Sequence, residues 1–350
     1  MPQAPFRLSS LVDVTRGTLT ECRHAGSIAV CDPNGNLVFA VGDVEQPVFP
    51  RSAIKALQAI PLLESGAAVA YGLSPAELAL ACSSHNGETG HIETAASVLA
   101  KSGLDETALE CGAHWPKRLP DQKTLILDDR IPGALYNNCS GKHAGFLCLS
   151  RHLGADVSGY VKPDHRVQNE IRACLEDFTG VVHAQAVCGT DGCSIPTYAV
   201  PLSAMAKAFA TFGTGQGLAA DRASAAASLR SACAQHPFNV AGTERFCTDI
   251  MSHFGERVFL KTGAEGVFCA TFPEQGLGIA LKCADGATRA SEVMMAHIIA
   301  TFLPLMADDR VFLQRFLDVP LMNWNRLVVG TVKASEDYLL ALKQAGKTSA

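Results

Sequence analysis

Three short motifs carry side chains able to cleave an acyl bond. Ser52-Ala53-Ile54-Lys55 is the only S-x-x-K of the chain. At a helix start, residues three apart share a face, so this hydroxyl and amine can meet. A serine hydroxyl is a weak nucleophile until a base removes its proton. A lysine is that base only when burial or a neighbouring cation lowers its pKa. The second motif, Ser83-Ser84-His85-Asn86-Gly87-Glu88, contains S-x-N and reads as a tight polar loop after an apolar helix. The third, Lys261-Thr262-Gly263, closes a strand-like run, and its glycine permits close approach of backbone or substrate. Taken singly, each has a plain structural reading: Ser52 as a helix cap above a solvated Lys55, Ser84 as the cap of a following helix, Gly263 as a turn. Lys101-Ser102-Gly103 looks similar, but it ends a helical pattern, where Gly103 reads as a helix stop.

Positioning these residues requires strands at both ends of the chain and helices between. Ser27–Cys31 and Leu37–Val41 flank Asp32-Pro33-Asn34-Gly35-Asn36, a hairpin signal. Ser52 to Glu64 reads as a helix with Pro61 kinking it. Ser74-Pro75-Ala76-Glu77 is a capping box with proline at the first helical position. Further helices are expected near Gly145–His152, Pro163–Asp177, Pro201–Phe212, Leu218–Gln235 and Thr243–His253. Strands return at Arg257–Lys261, Gly266–Phe272 and Leu277–Cys283, before a helix at Thr288–Leu303. The expected architecture is α+β: one unit over 1–350, with a sheet from 8–50 and 255–305 and a mainly helical lobe at 51–254. A cleft between sheet and lobe is the natural place for a site.

Composition narrows the function classes. Apolar residues make up 48% of the 350 and charged residues 18%, so a large core is affordable and disorder is excluded. The formal net charge of -5 and the lack of any Lys/Arg run argue against nucleic acid and favour a small-molecule substrate. No apolar run approaches the ~20 residues that cross a bilayer. The first eleven residues lack the apolar core of an export signal, which points to the cytoplasm. The 13 cysteines are scattered and odd in number, so most read as reduced core residues, among them Cys148, Cys174, Cys269 and Cys283. Two lie in polar, glycine-rich stretches instead: Cys139 in Asn137-Asn138-Cys139-Ser140-Gly141-Lys142-His143 and Cys193 in Val187-Cys188-Gly189-Thr190-Asp191-Gly192-Cys193. Thiolates there would suit zinc. With no C-x-x-C pair, one buried and one incidental loop thiol is an equal reading.

The order of the motifs says more than any one of them. S-x-x-K on a helix, S-x-N in the helical region and K-T-G on a late strand together resemble the penicillin-recognising serine enzymes. Pro50-Arg51-Ser52-Ala53-Ile54-Lys55 with Gln58, Cys82-Ser83-Ser84-His85, Cys139-Ser140-Gly141-Lys142-His143, Cys188-Gly189-Thr190-Asp191-Gly192-Cys193 and Lys261-Thr262-Gly263-Ala264-Glu265-Gly266 resemble the Rhizobium etli-type L-asparaginases. Glu21-Cys22-Arg23-His24-Ala25-Gly26 also fits, although Cys22 and Ala25 depart from that pattern.

The resemblance implies a serine β-lactamase-like fold and hydrolysis of L-asparagine to L-aspartate and ammonia. It implies Ser52 as nucleophile with Lys55 as base, and Ser84 with Lys261 as a second Ser–Lys pair. It also implies zinc on Cys139, Lys142 and Cys193 that positions substrate, with Asp191 steering Lys142 or the ion, and a homodimer. A lysine that binds metal must be neutral. Arg51 and His143 are assigned to the carboxylate and amino ends of the substrate, since a guanidinium fork matches a carboxylate. An esterase, peptidase or glutaminase with the same Ser–Lys machinery is the alternative enzyme. A zinc- or thiol-based sensor on an inactive enzyme fold is the alternative outside catalysis, disfavoured because both serines and both lysines are present.

Overall fold

The computed structural model describes residues 9–348, so the first eight residues of the stretch read for an export signal lie outside it. Eight antiparallel strands form one sheet: β1 (Ser9–Arg16), β2 (Leu19–Cys31), β3 (Leu37–Val41), β4 (Phe259–Thr262), β5 (Val267–Phe272), β6 (Leu277–Cys283), β7 (Asp318–Met322) and β8 (Val328–Ala334). Their order is β7-β8-β1-β2-β6-β5-β4, with β3 also paired to β2. The fold is therefore α+β, with a sheet assembled from both ends of the chain.

Strand β2 explains its own burial. Its first half pairs with β1 and is largely exposed; from Gly26 to Cys31 it lies against β6, with β3 on Ile28–Cys31, and is buried. The β2–β3 turn forms where expected, with Asp32 accepting from the backbone N–H of Asn34 and Asn36. Helix Leu202–Thr214 lies so close on β6 that a Cβ at Gly278 would overlap the Ala206 carbonyl and the Ala210 nitrogen.

The sheet uses more chain than 8–50 and 255–305. Strands β7 and β8 join it beyond residue 305, β8 on β1 with Val14 opposite Val332, and helix Glu336–Thr348 follows. Both strands are weak sequence signals. Pro320 cannot donate to a ladder and Gly330 has no side chain to pack, so pairing decides them, β8 with β1 and β7 with β8. The expected long helix from Ser52 is broken into a 3-10 turn, Arg51–Ile54, and two short helices, Lys55–Gln58 and Ile60–Glu64, the break falling just before Pro61. The capping box at Ser74 and Glu77 is present.

Candidate active site

Ser52 stands in the turn Arg51–Ile54, and the turn is forced. Arg51 has φ +52°, left-handed backbone that a residue with a side chain adopts only when its surroundings impose it. Its Nε donates to Asp191 Oδ1 at 2.6 Å, and Ala53 and Ile54 are buried. The K-T-G motif presses on the same turn from β4. A Cβ on Gly263 would come within 2.8 Å of the Pro50 carbonyl. Ser194 (φ +76°), Glu244 (φ +59°) and Glu265 (φ +56°) are further left-handed residues beside Cys193, Arg245 and the K-T-G strand. Strain of this kind gathers where a fold aims side chains at a site.

The Ser83–Glu88 segment is held from three directions. Ser84 N–H donates to Val240, His85 N–H to Asn138, and Lys117 N–H to Asn86, all to carbonyl oxygens. Behind it, His85, His91 and Phe238 stack, with centroids 4.8 and 4.3 Å apart. His85 Nδ1 accepts from the Gly87 N–H, so its Nε2 carries the proton and donates to Ser140 Oγ at 2.9 Å. Burial, then the neighbouring His91 charge, keeps His85 neutral, well below the usual histidine range.

Lys55 lies at the centre, 1% exposed. Its Nζ reaches the Ser83 carbonyl (2.5 Å), Ser84 Oγ (2.9 Å) and Cys139 Sγ (3.0 Å), which occupies all three ammonium hydrogens. Lys261 is equally buried and donates to the Thr262 carbonyl at 2.7 Å. Burial, then the Lys55 charge, brings its pKa down to about 7. The expected pairing of Ser52 with Lys55 and Ser84 with Lys261 is thus not the hydrogen-bonding pattern, in which Lys55 reaches Ser84. Ser52 and Ser84 both open onto a cavity of about 340 Å³, with His85, His114, Trp115, Lys117, Asn138, Arg245, Thr262, Gly263, Ala264 and Thr288.

Cys139, Lys142 and Cys193 meet beside this centre. The stretch expected as a loop turns helical at Ser140, so Cys139 is the N-cap residue of helix Ser140–His152 and Lys142 and His143 lie in its first turn. Glycine and serine are poor helix formers, but close packing favours the glycine: a Cβ on Gly141 would overlap the Leu80 carbonyl. Cys193 comes from the turn between two short paired strands, Cys188–Thr190 and Pro196–Tyr198. Lys142 Nζ lies 3.0 Å from Cys193 Sγ. The hydrogen bond from Cys193 is the main cause that holds the Cys139 thiol well below its ordinary range; burial opposes it, while Lys55 and Lys142 add to it. The same bond, with burial, pushes Cys193 up. Burial works against the Lys142 charge, yet the two sulfurs and Asp191 outweigh it and hold its pKa up. Two sulfurs and one amine nitrogen converge, a donor set that fits a borderline divalent ion once Cys193 and Lys142 give up protons.

The three residues expected to contact substrate, Arg51, His143 and Asp191, all lie off the cavity wall. Arg51 spends its Nε on Asp191, and His143 is fully buried with Nδ1 2.7 Å from the Tyr160 hydroxyl. Conversely, sequence reasoning passed over Arg245, Lys117, His114 and Trp115, which do line the cavity and sit in no recognisable motif.

Residues 12–334 match the family model of L-asparaginase II. The chain belongs to the L-asparaginase II family. It is an L-asparaginase, an amidohydrolase that converts L-asparagine to L-aspartate and ammonia. No curated protein matches its sequence. Among solved structures it is similar to a β-lactamase from Mycobacterium bovis (12% identity, TM-score 0.39, covering 80% of this chain and 95% of that one). It is also similar to Mglu in its native form (14% identity, TM-score 0.44, covering 81% and 65%). For an L-asparaginase the cavity is of suitable size: a small amino acid fits 340 Å³. Among the described residues, no helix is long and apolar enough to cross a membrane.

Proposed function

We propose that this L-asparaginase is of the Rhizobium etli type, on a β-lactamase-like scaffold, and that it works through an acyl-enzyme on Ser52. The observation that carries the reading is the juxtaposition of Ser52 and Ser84 on one small cavity with two buried lysines, one of which, Lys261, is poised to be neutral near pH 7. Ser52 Oγ attacks the side-chain amide carbon of L-asparagine. Its proton passes into the Lys55–Ser84–Lys261 set, where the Lys261 amine has room for it. The C–N bond then breaks and the set returns a proton to the departing ammonia. Water enters, gives a proton to the same set and attacks the acyl carbon, and L-aspartate leaves with Ser52 restored.

Cys139, Lys142 and Cys193 would hold a zinc ion, which supplies positive charge for orienting the substrate. The Asp191 carboxylate, held low against opposing burial by Lys142 and Arg51, has the charge to face the substrate ammonium, and His143 follows Lys142 in the first turn of its helix. A homodimer is supported by exposed apolar side chains at Ile126, Leu127 and Ile131. A reducing, cytoplasmic setting is supported by the free state of all the cysteines. Ammonia release from a panel of linear amides tests the reading. Wild type should act on L-asparagine and Ser52→Ala should not. A purified Ser52→Ala protein with substantial turnover would remove Ser52 from the mechanism.

A further inference from the structure

We infer that Arg245, seconded by Lys117, is the specificity determinant that grips the α-carboxylate of the substrate. The inference rests on the Ser52 reading of the cavity and adds to it the group that selects an amino acid over a plain amide.

Both cations line the cavity that Ser52 and Ser84 open onto, and both also line the groove leading outward from it. Among the described residues, neither makes an ion pair. Arg51, the arginine next to the nucleophile, differs in this respect, because Asp191 already takes its Nε at 2.6 Å. Two carboxyls share the outer groove with them, Glu244 and Glu292; neither forms an ion pair with Arg245 or Lys117, Glu244 facing Arg118 instead, and burial raises Glu292 above the usual carboxylate range. Two cations, one half-buried and one at the rim, thus face a small cavity without an ion-pair partner. An incoming carboxylate supplies it, and a guanidinium fork binds both oxygens.

The local backbone points the same way. Arg245 is the N-cap residue of helix Phe246–Phe254 and makes no side-chain cap there. A cation at this end opposes the helix dipole, and the usual cap is a small acceptor. The preceding Glu244 is held in left-handed backbone at φ +59°. Arg245 is further fixed by donating to Asn86 Oδ1 at 2.9 Å, and Asn86 lies two residues from Ser84. The cavity wall therefore carries two cations free of ion pairs, the complement of a substrate carboxylate.

The test compares three substrates in steady-state kinetics with intact enzyme. L-asparagine carries both charged ends, succinamate keeps only the carboxylate, and 3-aminopropanamide keeps only the amine. Arg245→Gln should raise KM for L-asparagine and succinamate by about 10- to 100-fold, the range expected for losing a charge-assisted contact, with kcat changed far less. It should leave 3-aminopropanamide, read as kcat/KM or as an inhibition constant, within about twofold of wild type. Arg245→Lys should recover part of the loss, and Lys117→Met should show the same pattern more weakly. An equal loss on all three compounds would assign Arg245 to holding the Ser84 loop and overturn the inference, as would no change on any. Turnover surviving in Ser52→Ala would instead strike the acyl-enzyme reading while leaving the substrate pattern of Arg245→Gln as its own result.

Discussion

Lys261 and Lys142 are each 1% exposed, yet their surroundings drive them in opposite directions. Around Lys261 the first influences are burial and the Lys55 charge, both against a second cation, and its pKa falls to about 7. Around Lys142, burial is outweighed by Cys139, Cys193 and Asp191, and its pKa rises. Burial alone does not decide what a lysine does; the charge of its immediate neighbours does. One lysine is thereby prepared to accept a proton, while the other remains an ammonium paired with sulfur until something displaces its proton.

Exchanging each lysine for a methionine of similar bulk should break this symmetry most plainly. Lys261→Met should reduce kcat/KM by about 10³-fold or more, the scale on which removing a member of a nucleophile–base set is felt. Lys142→Met should retain measurable kcat and lose the zinc proposed for this site, which metal analysis of the purified proteins would show. Equal and complete loss of kcat in both would show that the two regions do not divide the work.

Stability should move opposite to activity at Lys261. Its folded pKa lies below the unfolded value, so the cost of burying it is fully present below pH 7 and is relieved as pH rises toward 10.5, while the unfolded chain still holds the proton. Lys261→Met should therefore stabilise the protein at pH 6 by on the order of a few kcal/mol, since each pKa unit is worth about 1.4 kcal/mol. The gain should shrink at pH 9, which denaturation at the two pH values would reveal. Activity of the wild type should rise through about pH 7 as the Lys261 amine loses its proton. An activity maximum near pH 5 would assign the base to another group.

Smaller effects are expected from the sulfur side. Cys139→Ser or Cys193→Ser should remove the proposed zinc and raise KM for L-asparagine more than it lowers kcat, the pattern of lost binding common to ground and transition states. Chelation of the wild type should reproduce it; an unchanged KM with no measurable kcat would place the ion in the chemistry. The smallest change is Gly263→Ala, whose Cβ must push on the Pro50 carbonyl. It should cost about 1–3 kcal/mol in unfolding, with a modest loss of kcat as the Ser52 turn shifts.

Much of this was legible beforehand, and the reasons differ by feature. Ser52, Lys55, Ser84 and Lys261 stand in local patterns whose spacing announces them, and the capping box at Ser74 and the strand Leu277–Cys283 depend on near neighbours alone. By itself the sequence determined the α+β order of elements, the S-x-x-K, S-x-N and K-T-G motifs and the two cysteine-bearing segments. Tertiary structure alone decided that Lys55 reaches Ser84, because that contact joins residues 29 apart, one in helix Lys55–Gln58 and one in the irregular segment Ser83–Glu88. It decided the fate of each lysine, because a pKa depends on charges brought near by folding rather than by spacing. It decided that β7 and β8 are strands, since β1 pairs β8 and β8 in turn pairs β7, ladders that Pro320 and Gly330 do not announce. And it brought Arg245 to the Ser52 cavity, a placement made by contacts between residues nearly two hundred positions apart and therefore written in no local pattern.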